Sequence, residues 1–156
     1  MRRFLSQCAL GAFTALALLS APATVHARLG GNFGAGFIAG DPSGLSGKLW
    51  LNDKNALDFS AGFSVQDDWI SLGADYVWHE FGLIPVPQGQ LPLYYGMGVW
   101  TSVARNAAIG ARGVVGLEYL FPSAPLDVFV EIGPGASILP STGFGLSGGL
   151  GMRYFF

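Results

Sequence analysis

Two short segments of the chain have the residue types and spacing of motifs that carry chemistry. Residues 34–39 match G-x-G-x-x-A, whose glycines let a backbone approach a pyrophosphate between a strand and a helix. Residues 145–149 match G-x-S-x-G, whose serine attacks an acyl group with the help of an acid and a later histidine. Asp41-Pro42 follows the first segment where a helix is required, and no histidine follows Ser147. Neither segment therefore predicts nucleotide binding or acyl transfer.

His79 is the remaining candidate for acid–base chemistry, because the other histidine, His26, lies in a predicted leader. Ser71 and Asp75 share one face of a predicted strand with His79, so a catalytic role would pair His79 with one of them. A metal site needs several ligands, and none cluster around His79 in the sequence. The sequence predicts no metal and no cofactor, and a polar residue in the interior or at the rim is the favoured interpretation of His79.

The composition sets the class of protein. The 156 residues are 51% hydrophobic and only 12% charged, and 24 of them are glycine. So few charges in so apolar a chain exclude a disordered protein and a nucleic-acid-binding protein. The length suits a single domain.

The first 27 residues have the pattern of a secretory signal peptide. Two arginines precede an apolar segment, residues 8–19, and Ala27 ends a Val-His-Ala cleavage site. The predicted organisation is a leader, 1–27, and one mature domain, 28–156. Without the two leader arginines, 6 of the 8 Lys and Arg remain against 10 Asp and Glu, a net charge of −4, and no cysteine remains. An exported domain without disulfides needs another source of stability.

The mature domain alternates with a period of two rather than the 3.6 residues of a helix. Near the C-terminus, bulky apolar side chains occupy the even positions from 144 to 156 with one gap, and glycine occupies most odd positions. The same alternation of an apolar face with a small or polar face recurs along the chain, interrupted by turn residues. It predicts eight strands, over residues 29–39, 45–51, 56–65, 69–79, 93–101, 111–120, 126–133 and 143–156.

The small or polar faces of these strands carry most of the charge. A strand with one apolar face fits the wall of a transmembrane barrel, with the apolar face toward lipid. Side chains can fill the interior of an eight-stranded barrel, and buried charges must be paired. We therefore predict an ion-paired, filled lumen without an open pore. The residues of this predicted network are Lys48, Asp58, Asp75, Arg112, Glu118, Asp127, Glu131 and Arg153.

The chain resembles the small eight-stranded outer-membrane barrels of Gram-negative bacteria. The resemblance rests on the leader, the eight amphipathic strands and a last strand ending in Phe156, with Tyr154 and Met152 at alternate positions before it. It implies an all-β, antiparallel, up-and-down transmembrane barrel, a monomer that reaches the outer membrane through the periplasm. Its implied partners are outer-membrane lipid, periplasmic chaperones and the barrel-assembly machinery, which would read these three residues as an assembly signal.

The members of this class have different functions, so the fold does not choose one. The favoured function is a non-enzymatic structural or interaction role in the envelope. One alternative is a lipid-modifying outer-membrane enzyme with His79 as its base, although the His-x-Ser-Asn type of motif of lipid A deacylases is absent, since Glu80 and Phe81 follow His79. Another is a soluble periplasmic carrier of the lipocalin type. The charges of the predicted interior disfavour a narrow channel.

A set of seven aromatic residues has two interpretations. The favoured one is a girdle at the membrane interface, and the alternative is a cage for a ligand. The residues concerned are Trp69, Tyr76, Trp78, Tyr95, Tyr119, Tyr154 and Phe156.

Residues 81–90 form the longest predicted connection. In barrels of this class both termini lie in the periplasm, which puts this connection on the periplasmic side, where short turns are the rule. Either the segment extends the neighbouring strands, or the number of strands differs there.

Overall fold

A computed structural model of the chain describes residues 29–64, 69–103 and 107–156. The predicted leader with its cleavage site after Ala27 lies outside the described residues, as does the predicted turn at 66–68. Within the described ranges, no helix is long and apolar enough to cross a bilayer. The strands are β1 (Phe33–Asp41), β2 (Gly44–Trp50), β3 (Asn55–Ser64), β4 (Trp69–Glu80), β5 (Leu93–Val103), β6 (Ala108–Leu120), β7 (Leu126–Leu139) and β8 (Gly143–Phe155).

The eight strands close into one barrel. Each strand pairs antiparallel with its neighbours in sequence, and β1 pairs with β8 to close the ring. The end at which β1 begins and β8 finishes is here called the terminal end, and it carries the connections 51–54, 81–92 and 121–125. The opposite end is where β1, β3, β5 and β7 finish. The prediction of an all-β, eight-stranded, antiparallel, up-and-down barrel is confirmed.

Side chains alternate between the lumen and the outer surface along the strands. On β5, Tyr95, Met97 and Val99 point outward and are 43–65% exposed, whereas Tyr94 is fully buried. The faces that the sequence shows as apolar lie outside, and the small or polar faces line the lumen. The buried polar side chains of the described residues therefore face the lumen.

Strand boundaries differ from the sequence prediction in two informative places. β1 begins at Phe33 rather than at residue 29, because Gly30 has a φ of +91° and turns the chain before the strand. β7 continues past Pro134 to Leu139, although proline and glycine predicted its end at residue 133. The ladder between β6 and β7 skips Pro134, so its missing N–H is not needed there.

The connection between β4 and β5, residues 81–92, is long although the barrel has eight strands. Neither explanation suggested by the sequence holds, because the segment adds no strand and extends none. It folds back on the terminal end instead. Gln90 pairs with Leu120, and the ring of Phe81 lies 6.5 Å from that of Trp50 inside the barrel. The connection therefore covers part of this end of the lumen.

Inward-facing glycines make room for large lumen side chains from the neighbouring strand. The Phe129 ring of β7 lies across Gly151, its partner on β8. A Cβ at Gly151 would lie 2.6 Å from Cε1 of Phe129 and 2.5 Å from the carbonyl oxygen of Phe37 on β1. An eight-stranded lumen is only wide enough for its side chains, so a large residue fits where its neighbour has none.

We expect Gly151→Ala to lower the free energy of unfolding by about 1–3 kcal/mol, because its methyl group overpacks a closed wall. Gly145→Ala is the matched control on the same strand and face, since a Cβ there would meet nothing within 4 Å. The control should stay within about 0.5 kcal/mol of the unsubstituted chain. Urea unfolding of the refolded proteins in detergent micelles measures both values. Equal losses in the two variants would contradict this role of glycine.

Candidate functional site: the charged barrel interior

The interior charges lie in the middle of the barrel and in the half nearer the terminal end. All eight residues of the predicted network point into the lumen, and their side chains are at most 9% exposed. They form two groups together with two residues that the predicted network did not include. The six-residue cluster consists of Lys48, Asp58, His79, Glu118, Asp127 and Arg153, and the Arg112 cluster consists of Asp75, Tyr94, Arg112 and Glu131.

Strand register explains why two of the pairs meet. Lys48 on β2 is the direct partner of Asp58 on β3, and Asp127 on β7 is the direct partner of Arg153 on β8. Side chains directly opposite each other in an antiparallel pair have Cβ atoms about 4.5–5.5 Å apart. Each pair therefore forms within a single hairpin, and the closed barrel then brings the two hairpins together.

Arg153 joins the carboxylates of the six-residue cluster. Its Nε donates to Oδ2 of Asp127 at 2.9 Å, and its Nη2 donates to Oε1 of Glu118 at 3.0 Å. Its Nη1 donates to Oδ2 of Asp58 at 3.3 Å. The guanidinium carbon lies 4.0 Å from the centroid of the Phe129 ring. The flat, five-donor guanidinium is suited to this, because it can serve three carboxylates from three strands at once.

Lys48 and His79 complete the same cluster. The Lys48 ammonium donates to Oε2 of Glu118 at 3.0 Å and lies 2.8 Å from Nε2 of His79. Nδ1 of His79 lies 3.0 Å from the carbonyl oxygen of Lys54, which can only accept a hydrogen bond. Nδ1 therefore carries the ring proton, and Nε2 accepts from the ammonium, which can only donate. The imidazole is neutral in this arrangement, and Oε2 of Glu118, 3.0 Å from Nε2, shares the same ammonium.

The position of His79 does not match the acid–base pairings considered from the sequence. Both ring nitrogens are engaged, and the side chain has no exposed surface. Ser71 lies eight residues away along β4, roughly 26 Å at the rise of an extended strand. Asp75 lies four residues away and bonds to Arg112 instead. The structure therefore brings neither residue to His79.

In the Arg112 cluster, one guanidinium bridges two carboxylates. Nε of Arg112 donates to Oδ1 of Asp75 at 2.9 Å, and Nη2 bonds to Oδ2 of the same residue. Nη2 also reaches Oε1 of Glu131 at 3.4 Å. The hydroxyl of Tyr94 donates to Oε2 of Glu131 at 2.8 Å. Tyr94 is not part of the predicted network, because only the register shows which strand its hydroxyl reaches.

Two glycines let members of the Arg112 cluster meet across an intervening strand. In the register, Gly98 on β5 stands between the carboxylate of β4 and the guanidinium of β6. Gly116 on β6 stands in the same way between Tyr94 and Glu131. A Cβ at Gly116 would lie 2.6 Å from the hydroxyl oxygen of Tyr94. Each inward glycine thus leaves the space through which a polar side chain reaches its partner.

The interior clusters contain more carboxylates than cations. Five carboxylates face three cations, and the neutral His79 adds no charge. Other donors serve part of the excess, since the main-chain N–H of Arg153 donates to Oδ1 of Asp127 at 3.0 Å. Asp58 Oδ1 lies 3.4 Å from Nζ of Lys48 but has no hydrogen bond. Loss of any one cation therefore leaves buried carboxylates uncompensated.

The three residues of the predicted assembly signal lie on the outer surface at the terminal end. Met152, Tyr154 and Phe156 are 52%, 47% and 70% exposed, and the last two rings lie 5.2 Å apart edge to face. β8 itself ends at Phe155, and the N–H of Phe156 donates to the carbonyl oxygen of Phe33 at 2.9 Å. All three side chains are on the surface that a partner or a lipid can reach. Ala27, the predicted cleavage residue, lies outside the described residues.

Reversing the charge of Arg153 should destabilise the barrel strongly. Arg153→Glu leaves Asp58, Glu118 and Asp127 facing a fourth carboxylate, and breaking one buried ion pair already costs about 3–5 kcal/mol. Lys54→Glu is the matched control, because this lysine is exposed at the terminal end and should change the free energy of unfolding by less than about 0.5 kcal/mol. Urea unfolding in lipid vesicles measures both. An unchanged midpoint for Arg153→Glu would mean that Arg153 faces water.

No protein-family model, curated protein or solved structure matches this chain.

Proposed function

We propose that this protein is an integral outer-membrane β-barrel of a Gram-negative envelope, with a structural or interaction role, a filled lumen and no open pore. One observation carries the proposal: bulky apolar side chains are exposed on every strand, while the charges face inward. A barrel that folds in water hides its apolar side chains, because burial of apolar surface is what drives folding there. In a bilayer the outer face meets acyl chains and the polar groups belong inside.

The exposed apolar side chains form a belt around the barrel. One residue from each strand in order illustrates it, with exposures of 49–69%. These residues are Phe37, Leu45, Phe63, Ile70, Met97, Ile109, Val130 and Leu146. Soluble monomers rarely expose a contiguous apolar patch larger than a few hundred Å². A continuous belt on all eight strands supports a lipid environment.

Aromatic side chains at the terminal end support the same environment. The ring of Trp78 on β4 lies 4.7 Å from that of Tyr76 on the same strand and 6.1 Å from that of Tyr95 on β5. The rings of Tyr119 and Phe121 lie 4.9 Å apart in an edge-to-face contact. Trp and Tyr favour the boundary between lipid and water, because one end of each ring is apolar and the other can hydrogen-bond. We interpret these residues as one interfacial girdle rather than a ligand cage.

The buried charges support a filled lumen. Side chains of the six-residue cluster are at most 9% exposed, and those of Lys48, Glu118 and Asp127 have no exposed surface. An aqueous channel would leave its lining charges in contact with water. The ion pairs therefore support a role that needs a stable wall in the membrane and not the passage of solutes.

Export and assembly complete the proposal. The leader, cleaved after Ala27, would deliver the chain to the periplasm, where chaperones keep it from aggregating. The assembly machinery would then read Phe156, Tyr154 and Met152. A lipid-modifying enzyme based on His79 has less support, because that imidazole is enclosed by Lys48 and Glu118. A lipocalin-type carrier has less support because its bulky apolar side chains would line the interior.

The proposal predicts that the protein refolds from urea only when detergent or lipid is present. The reason is that the apolar belt must be covered for the fold to be stable. Electrophoresis in SDS measures the outcome, since a folded barrel of this kind should migrate differently before and after boiling. The boiled sample of the same preparation is the internal control.

A monodisperse, folded monomer in buffer without detergent would overturn the membrane proposal. It would favour a soluble carrier instead. Val130→Asp sharpens the test, because a charge in the middle of the outer face should reduce insertion into vesicles. Arg or Lys at the bilayer midplane costs about 2–4 kcal/mol, and a carboxylate costs less but is still unfavourable.

A further inference from the structure

The half of the lumen toward the opposite end contains an open cavity beyond the Arg112 cluster. Its volume is about 650 Å³. Cavities of roughly 300–1,000 Å³ are typical of sites that bind small molecules. The six-residue cluster fills the other half, so the lumen is divided into a closed part and an open one.

One wall of the cavity presents three hydroxyl groups from consecutive strands. Ser60, Ser71 and Ser102 come from β3, β4 and β5, and the last two are direct partners in the ladder. Glycine again makes room, since a Cβ at Gly62 would lie 2.9 Å from Oγ of Ser71. Among the described residues, none of these three hydroxyls has a hydrogen-bond partner. Each can therefore donate to or accept from a ligand.

The facing wall presents an indole. The Trp100 ring lies across Gly110, where a Cβ would be 2.6 Å from its Cζ2, and a Cβ at Gly135 would be 3.7 Å from its Nε1. The ring thus rests on the glycine wall of β6 and β7, and Trp100 lines the cavity. Its N–H has no acceptor among the described residues. The wall offers an aromatic surface together with one free donor.

The floor of the cavity is formed by the Arg112 cluster. It provides one hydrogen-bond donor but no net positive charge. Arg112 lines the cavity, and its Nε and Nη2 are occupied by Asp75 and Glu131. Its Nη1 makes no hydrogen bond to any described residue. One guanidinium against two carboxylates leaves the floor with a net charge of −1. An anionic ligand such as a phosphate would therefore be repelled, whereas a neutral ligand rich in acceptors would not.

We propose that this cavity binds a neutral saccharide ring. Sugar hydroxyls match the hydroxyl wall and the free donors of Trp100 and Arg112. The electron-rich face of an indole attracts the weakly positive C–H groups of a pyranose, as it attracts the edge of another ring. The negative floor selects against sugar phosphates and uronic acids. No charged group on the ligand is needed to explain any of these contacts.

The saccharide could come from either of two sources, free in solution or as the headgroup of a glycolipid. The ladder between β1 and β8 ends at Asp41 and Gly148, so residues 143–147 of β8 pair only with β7. Gly143 and Ser147 also line the cavity, so among the described residues the cavity reaches this unpaired edge of β8. A glycolipid headgroup would approach through this edge, and a free sugar would come from the aqueous side. Only the glycolipid source rests on the proposed membrane location.

The test is NMR of the four tryptophan indole N–H groups in protein refolded in dodecylphosphocholine, a detergent without sugar. The signal of Trp100 is the one lost in Trp100→Phe, with Trp100→Tyr as a second assignment variant. Maltose, titrated to about 100 mM, should shift this signal saturably, since that concentration saturates even a Kd of about 1 mM. The double variant Ser71→Ala/Ser102→Ala should raise the Kd about tenfold or more, because two hydrogen bonds to the sugar are lost. Ser46→Ala, a buried lumen serine outside the cavity, should leave the Kd unchanged.

The outcomes distinguish a free saccharide from a glycolipid headgroup, and they distinguish failure of the saccharide proposal from failure of the membrane proposal. Binding of maltose supports a free saccharide, and binding of dodecyl maltoside alone supports a glycolipid headgroup. No saturable shift with either probe, or an equal shift of all four indole signals, would overturn the proposal. An equal effect of added dodecylphosphocholine would show a site for acyl chains and would also overturn it. The proposed membrane location fails separately, by a folded monomer without detergent, and that result leaves the saccharide test intact.

Discussion

The width of an eight-stranded barrel is the constraint on which the rest of this structure depends. Its lumen has little space to spare, and several of its largest side chains fit because the neighbouring strand has an inward glycine at that position. Phe129 lies over Gly151, Tyr94 over Gly116 and Trp100 over Gly110. The high glycine content is thus a packing requirement of the interior.

That register produces a lumen with two different halves. Toward the terminal end, Arg153 and Lys48 tie carboxylates from several strands into a cluster with almost no exposed surface. Beyond Arg112, serine and glycine line the lumen together with Trp100, and the described residues leave a cavity there. Paired charges close one half because an unpaired charge could not remain there. Under the two proposals made above, the same barrel is a sealed wall in the membrane and holds a small polar site at its opposite end.

The period-two pattern was enough to predict the number of strands, their faces and the inward position of all eight network residues. It works because side chains alternate strictly in a strand, so one register error would reverse every face. The pattern could not say that Arg112 crosses Gly98 to reach Asp75, since that depends on the stagger of three strands. It also did not predict the cavity, because inward serine and glycine are equally compatible with a filled lumen and with an open one. The fold of residues 81–92 was unpredictable for a related reason, as a connection without alternation gives no register.

The central claim is that the apolar faces meet lipid and the polar faces meet the lumen, and spin-label accessibility on one strand tests it most directly. The only cysteine, Cys8, lies in the predicted leader, so single cysteines can be introduced at Val99 on the outer face and at Ser102 in the cavity. In lipid vesicles, the label at Val99 should be relaxed by oxygen dissolved in the bilayer and protected from a water-soluble nickel complex. The label at Ser102 should show the reverse. Equal access of the nickel complex to both positions would contradict the account, because both faces of β5 would then be in contact with water.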